Sequence, residues 1–226
     1  MHKIIERAKE EKRPLLEPEA KELLREYEIP VPGFKLIKNE DEVSKIAQEI
    51  AYPIVMKIVS PDIIHKSDAG GVKVGIKNEN EAKLAYKEII AKAKKYNKEA
   101  KISGIIASSM IAQSTEVIVG MMKDLHFGPV AMFGLGGVFV EILKDVSFRI
   151  LPLEEKDAQE MITEIKGYEI LKGVRGELPK DVQAIKEVLM KISQLTMENP
   201  EINEIDLNPI FVFEKGLQVI DARMIL

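Results

Sequence analysis

The chain has 226 residues, enough for one large domain or two small lobes, and either can bury a core. With 33 Lys+Arg against 37 Asp+Glu the formal net charge is −4, so the chain lacks the basic excess that draws nucleic acid or an anionic membrane surface. The absence of cysteine excludes disulfides, thiolate metal sites and a thiol nucleophile; no apolar run approaches the ~20 residues that span a bilayer, and no signal segment is evident, so a soluble cytoplasmic protein is predicted. A charged fraction of 31%, rich in Lys and Glu and without Trp, is compatible with a heat-loving source.

Residues 1–12 read as charged and weakly helical. Pro18 opens a helix with Ala20, Leu23, Leu24 and Tyr27 on one stripe, which Pro30-Val31-Pro32-Gly33 stops. A strand over 34–37 comes next, and Asn39 caps a helix carrying Val43, Ile46, Ala47 and Ile50. A strand from Pro53 to Val59, a glycine-ended loop over 63–71 and a strand over 72–76, with Val72, Val74 and Ile76 alternating, form a strand, loop, strand unit. Asn78 caps a helix to Tyr96, and strands are predicted over 102–110, 116–122 and 129–133. A glycine cluster at Gly134, Gly136 and Gly137 precedes strands near 139–143 and 148–151, a helix over 154–166 and a linker with Gly167, Gly173 and Gly176. Residues 181–197 read as a helix, and 202–207 with 217–220 as a hairpin around Glu214-Lys215-Gly216. Mixed elements with antiparallel connections favour an α+β fold of two lobes, divided as 1–106 and 107–226.

Lys57 lies in Ile54-Val55-Met56-Lys57-Ile58-Val59, an ammonium within an apolar strand. A buried ammonium costs several kcal/mol unless paired, so Lys57 either snorkels from an edge strand or is a fixed cation for an anionic ligand such as a phosphate chain. His65-Lys66-Ser67-Asp68-Ala69-Gly70-Gly71 gathers an imidazole, an ammonium, a hydroxyl and a carboxylate before paired glycines. Either His65 is an ordinary surface residue, or Asp68 orients its ring so that the other nitrogen acts as a nucleophile, with Gly70 and Gly71 N–H groups turned to phosphate oxygens.

Gly134-Leu135-Gly136-Gly137 has phenylalanine at 139 in place of a third fingerprint glycine and no βαβ unit after it, which excludes a dinucleotide fold; no GK[ST] end exists for a P-loop. In Asp206-Leu207-Asn208-Pro209, residues 206 and 208 share a strand face, and Asp221 returns opposite residue 208 or 209. Such oxygen donors suit Mg²⁺, although Asp-x-Asn-Pro is equally strand-end turn chemistry. Glu116 and Glu141 interrupt apolar strands as pocket carboxylates or exposed residues, and Arg149 and Arg175 are anion clamps or solvated side chains. A lysine run at 92, 94, 95, 98 and 101 is a solvated helix end matched to the dipole.

Taken in order, Pro53–Lys57, His65–Gly71, Glu116–Gly120, Phe127-Gly128-Pro129, Gly134–Glu141, Gly173-x-Arg175-Gly176 and Asp206-x-Asn208-Pro209 resemble the β subunit of ADP-forming acyl-CoA (acetyl-CoA) synthetase, an ATP-grasp family related to the succinyl-CoA synthetase β subunit. The resemblance covers nearly the whole chain, and the His-Lys-Ser-Asp-x-Gly-Gly loop is its most specific part. It implies an ATP-grasp fold of two α/β lobes with a nucleotide cleft between them, and an α2β2 heterotetramer whose separate α subunit binds CoA. The reaction implied is acyl-CoA, ADP and phosphate to acid, ATP and CoA. It further implies that His65 is a phosphohistidine, that Lys57 sits on the nucleotide phosphates, that Ser108, Ser109 and Met110 form the hinge beside adenine, with Glu116 a pocket residue, and that Asn208 and Asp221, beside Asp206, hold Mg²⁺. Ser114, Lys123 and Leu125 depart from the family pattern of glycine, arginine and proline near these places. Two other readings compete: a different ATP-grasp carboxylate ligase, with no need of His65, and a non-catalytic adenine-nucleotide-binding module.

Overall fold

The computed structural model describes residues 2–137, 144–174 and 176–226. The strand expected over 139–143, Glu141 and Arg175 lie outside these, as does the side chain of Ala47. In chain order the elements are α1 (Lys3–Glu10), α2 (Glu17–Glu26), β1 (Phe34–Ile37), a 3₁₀ segment (Glu40–Lys45) running into α3 (Ile46–Glu49), β2 (Ile54–Val59), β3 (Val72–Ile76) and α4 (Glu79–Tyr96). They continue with β4 (Gly104–Ser109), β5 (Thr115–Asp124), β6 (Gly128–Leu135), β7 (Val146–Ile150), α5 (Glu155–Glu164), α6 (Tyr168–Leu171), α7 (Val182–Glu198), β8 (Glu204–Val212), β9 (Leu217–Val219) and β10 (Ala222–Ile225).

The chain divides into two compact units. One comprises Leu16–Glu19 and Pro32–Ala112, the other Met1–Leu15, Ala20–Val31 and Gln113–Leu226. A boundary at 106/107 would cut β4 in the middle of its pairings with β1 and β2; the division instead comes after the strand's end, and most of the N-terminal helical segment groups with the C-terminal half.

In the first of these units an antiparallel sheet runs β1-β4-β2-β3. Ile37, Ile54, Met56, Ile58, Ile105 and Ala107 from the sheet pack with Val43 and Ile46 and with the Ala82, Ala85, Ile89, Ala93 stripe of α4. Asn78 caps α4 by accepting from the Glu81 N–H at 3.0 Å, while its amide donates to the Glu81 carboxylate at 2.8 Å. Asn39 makes the same exchange with Glu42, but the segment it caps is a 3₁₀ stretch and one α-turn in place of the expected helix. The Ser44 hydroxyl donates to the Asp41 carbonyl three residues back, 2.9 Å, which suits the tighter winding. Val74 also departs from expectation: it is 67% exposed. The β2–β3 register slips between Ile54 and Met56, where Gly75 takes φ +72°, and the bulge turns Val74 outward.

The other unit holds a six-stranded antiparallel sheet in the order β10-β8-β5-β6-β7, with β9 beside β8. Helices α5 and α7 cover one face, burying Phe133, Met161, Ile162, Leu189, Ile192, Ile205 and Leu207, and α1 and α2 add Ile5, Leu23 and Leu24. The predicted pairing of 202–207 with 217–220 is corrected: β8 is one long strand whose Ile210–Val212 end pairs with β9 and whose Glu204–Leu207 end pairs with β10. The expected 167–176 linker contains α6, whose entry is fixed by the buried Asp145 carboxylate accepting from the Lys166 and Gly167 N–H groups at 2.8 and 2.7 Å. Residues 3–10 form a full helix, with the His2 ring accepting from the Ile4 N–H.

Candidate functional site

Strand β2 is interior to its sheet, so the edge-strand reading of Lys57 fails. The Lys57 side chain is only 9% exposed, and its ammonium donates to Oε1 of Glu17 at 3.1 Å. Glu17, whose side chain is 2% exposed, accepts through Oε2 from the Lys66 ammonium at 2.5 Å. One buried carboxylate in the first turn of α2 thus holds a strand lysine and a loop lysine together. Glu17 was missed by sequence reasoning. The available signal was the unexplained ammonium on β2, which demanded a carboxylate from elsewhere in the fold.

The 65–71 loop closes on itself. The Ala69 N–H donates to His65 O at 3.2 Å, Gly70 N–H to Ser67 O at 2.9 Å and Gly71 N–H to Lys66 O at 2.7 Å, while Ile58 N–H on β2 donates to Gly71 O at 2.7 Å. Contrary to expectation, both glycine N–H groups are therefore committed inside the loop. Glycine is needed here for space: Gly70 has φ +62°, and a Cβ on Gly71 would stand 2.5 Å from Cγ2 of Ile58. His65 and Asp68 are both exposed, and among the described residues neither side chain has a hydrogen-bond partner, so the predicted Asp68–His65 contact is not made. His65 presents its ring to solvent beside Ile64, itself exposed. In the same unit, Ser108 is buried with an unpartnered hydroxyl, and the N–H groups of Ser109 and Met110 donate to Gly33 O and Pro53 O at 2.9 and 3.0 Å. Along Ser108–Met110 those two amides are therefore taken.

In the other unit, the Ala222–Leu207 pairing continued by one residue brings Asp221 opposite Asn208, one of the two positions, 208 or 209, that its spacing allows, and Ile220 N–H donates to Pro209 O at 3.0 Å. Burial holds the Asp206 carboxyl above its ordinary range, Glu204 raises it further, Arg223 opposes and Asp221 adds to the rise. Asp206 and Asp221 are half-buried and Asn208 is exposed, and together they offer oxygen donors of the kind a hard cation takes. Among the described residues no three His, Cys, Asp or Glu side chains converge on one point, so such an ion would complete its shell from phosphate and water. Glu116 is half-buried on β5, its carbonyl accepting from Gly136 N–H at 2.8 Å, and a Cβ on Gly136 would lie 2.7 Å from that of Glu116. Close approach explains this glycine. Arg149 is already occupied: its guanidinium donates to both Glu164 oxygens at 2.8 and 2.7 Å, which holds the Glu164 carboxyl below its usual range.

Residues 6–226 match the family model of the ATP-grasp domain. The chain is 57% identical over 223 residues to the acetate–CoA ligase (ADP-forming) I subunit beta of Pyrococcus furiosus, covering 99% of this chain and 96% of that one. A dinucleotide-forming acetyl-coenzyme A synthetase of Ca. Korarchaeum cryptofilum, solved with coenzyme A, Ca-AMPCP and HgCl+, superposes with a TM-score of 0.95 at 48% identity, covering 98% of this chain and 97% of that one. A selenomethionine form of the same synthetase, with coenzyme A and Mg-AMPPCP and its phosphohistidine segment pointing towards the nucleotide binding site, gives 0.86 at 44% identity over 99% and 98% of the chains. No helix among the described residues is long and apolar enough to cross a membrane.

Proposed function

The chain belongs to the ATP-grasp family, and from that premise we propose that it is the nucleotide-binding β subunit of an ADP-forming acetate (acyl)–CoA ligase. The observation that carries this reading is its near full-length identity of 57% to a β subunit of that activity. The reaction converts acyl-CoA, ADP and phosphate to acid, ATP and CoA. A CoA-binding α subunit supplies the acyl chemistry, the two assemble as α2β2, and the enzyme works in the cytoplasm, where its soluble substrates are. The unit built on Pro32–Ala112 contributes the phosphohistidine loop, and the unit built on Gln113–Leu226 contributes the Mg-nucleotide residues.

In this reading His65 carries the phosphoryl group on a ring nitrogen. Transfer to ADP breaks that N–P bond and forms a P–O bond to a β-phosphate oxygen. The bonding pair returns to the ring nitrogen, and because the other nitrogen holds a proton the imidazole leaves neutral. Asp68, within the same loop, is the carboxylate that can accept from that second nitrogen once the ring turns. Donor and acceptor are both anionic, so cations must offset their repulsion and fix an in-line geometry. Lys57 serves the nucleotide phosphates, the Ser108–Met110 hinge and Glu116 line the nucleotide, and Gly70 and Gly71 shape the loop. Asn208 and Asp221, with Asp206, would hold Mg²⁺, which when bound supplies further charge neutralisation. Purified with the CoA-binding subunit, the chain should form ATP from acetyl-CoA, ADP and phosphate, and alone it should not. Turnover by the chain alone, or none with the partner, overturns the two-subunit reading.

A further inference from the structure

We propose that the β5–β6 turn and the exposed apolar side chains around it, Met122, Leu125, Phe127, Phe148 and Ile150, form the surface on which the CoA-binding subunit docks, beside the residues proposed for Mg²⁺. The inference rests on the reading of the chain as the nucleotide-binding subunit. Its own ground is the outer face of the six-stranded sheet. Val119, Met121, Ala131 and Phe133 point into the core, so their neighbours along each strand turn the other way. The register aligns Met122, Val130 and Ile150 in one row across β5, β6 and β7, and Gly120, Met132 and Phe148 in the next. Met122, Phe148 and Ile150 are each about half exposed, and at the turn Leu125 is 99% and Phe127 64% exposed. These five residues lay bare on the order of 600 Å², as much as the largest apolar patch of an ordinary monomer and most of the ~800 Å² that each partner gives to a standard interface.

The turn is braced while it presents them. The Asp124 carboxylate accepts from the His126 and Phe127 N–H groups at 2.7 and 3.0 Å, which holds that carboxyl below its ordinary range, and Gly128 closes the turn at φ +73°. The base is tied as well: Lys123 N–H donates to Asn203 O at 2.9 Å, and the Lys123 ammonium donates to the Pro200 carbonyl and the Asn203 side-chain oxygen. Leu125 and Phe127 bury little within the chain, and a braced turn loses little conformational entropy when a partner covers them. Position and charge choose the occupant. Gly120 pairs with Met132 on one side and with Asp206 on the other, so the patch begins two strand spacings, about 10 Å, from Asp206. Glu204, Asp206 and Asp221 line that border, with Arg223 as the opposing cation. A second copy of this chain would bring the same carboxylates to the same rim, where like charges oppose it. The CoA-binding subunit must exchange phosphate with a nucleotide held at these residues, and this patch is apolar surface adjoining them.

The test uses the full chain and the CoA-binding subunit. Affinity between the two is measured by surface plasmon resonance, and the mass, melting temperature and calorimetric Mg·ADP affinity of the chain alone are followed beside it. The variants are Leu125→Asp combined with Phe127→Asp, Ile150→Asp, and as control Leu84→Asp, a leucine 60% exposed on α4 of the other unit. The patch variants should weaken subunit affinity by at least about thirtyfold, the loss seen when interface anchors are removed, while melting temperature and Mg·ADP affinity hold. ATP formation should fall at dilute protein and recover as the CoA-binding subunit is raised. Patch variants that bind within about threefold of the parent refute the proposal, and so does an equal loss in Leu84→Asp. A parent chain that dimerises alone and is dissociated by the patch variants refutes it too, because a second copy then holds the face. Should the double variant fail to fold, Ile150→Asp decides. A parent that does not bind the CoA-binding subunit removes the two-subunit reading and this inference with it, whereas a bound parent with unaffected variants removes only the inference.

Discussion

Asp206 on β8 and Asp221 just before β10 lie close enough that the charge of Asp221 adds to the rise in the Asp206 carboxyl's proton affinity, behind burial and Glu204 and against Arg223. A carboxyl whose folded value is raised is destabilising while ionised, and the fold regains that stability as pH falls through the raised value. Asp206→Asn should therefore melt at or above the parent at neutral pH without Mg²⁺, and the difference should shrink as pH is lowered towards the ordinary carboxylate range. Thermal melts in EDTA across that range check it. A variant less stable than the parent at neutral pH would mean that Asp206 is held by contacts of its own.

The same strands predict a loss of function from a different pair. The chain should bind Mg·ADP with micromolar affinity, about −8 kcal/mol. Replacing both Asn208 and Asp221 by alanine should leave residual ADP binding that no longer responds to Mg²⁺ in titration calorimetry. Binding that still rises with Mg²⁺ would remove both residues from the metal site.

Local chemistry is the part of this molecule that is legible from sequence. The caps at Asn39 and Asn78 are readable because each is a side chain bonding to a backbone N–H within three residues. Strand arithmetic places Asp221 opposite 208 or 209, and the β8–β10 register selects Asn208. The features that escape are set by distant packing: the bulge that exposes Val74, the division of β8 between β9 and β10, and above all Glu17, which meets Lys57 across 40 residues of chain. The Gly70-Gly71 pair illustrates the intermediate case. Its residue type correctly signals a constrained loop, but the constraint is internal closure, and the N–H groups are spent there.

That closure makes Gly71→Ala informative. The added methyl would stand 2.5 Å from Cγ2 of Ile58 and 3.0 Å from the Lys66 carbonyl, so either the loop or β2 must move. Overpacking of this kind costs about 1–3 kcal/mol, and the displaced group includes the base of the His65 loop. Denaturant unfolding should show that loss, and His65 labelling should slow with it. Unchanged stability would mean that the Ile58 side chain yields freely and that the loop is not clamped where the structure puts it.

The sharpest test falls on His65. Its ring is exposed and among the described residues has no hydrogen-bond partner, so removing it deletes no contact that supports the fold. His65→Ala should keep the parent's melting temperature and, because the ring acts in transfer and adds little ground-state contact, its Mg·ADP affinity should stay within about 1 kcal/mol. Overall turnover with the CoA-binding subunit should nevertheless vanish. In the parent, incubation of the complex with Mg·ATP should give an acid-labile, alkali-stable phosphate that mass spectrometry maps to His65. The two measurements separate the competing chemistries. A carboxylate ligase of the ATP-grasp type that passes phosphate directly to its substrate would keep near-normal turnover in His65→Ala, and a nucleotide-sensing module would bind ADP but never acquire the label. If the label mapped to another residue of this chain, the loop would lose its place in the relay, and phosphoryl transfer to ADP would have to proceed without an intermediate on residue 65.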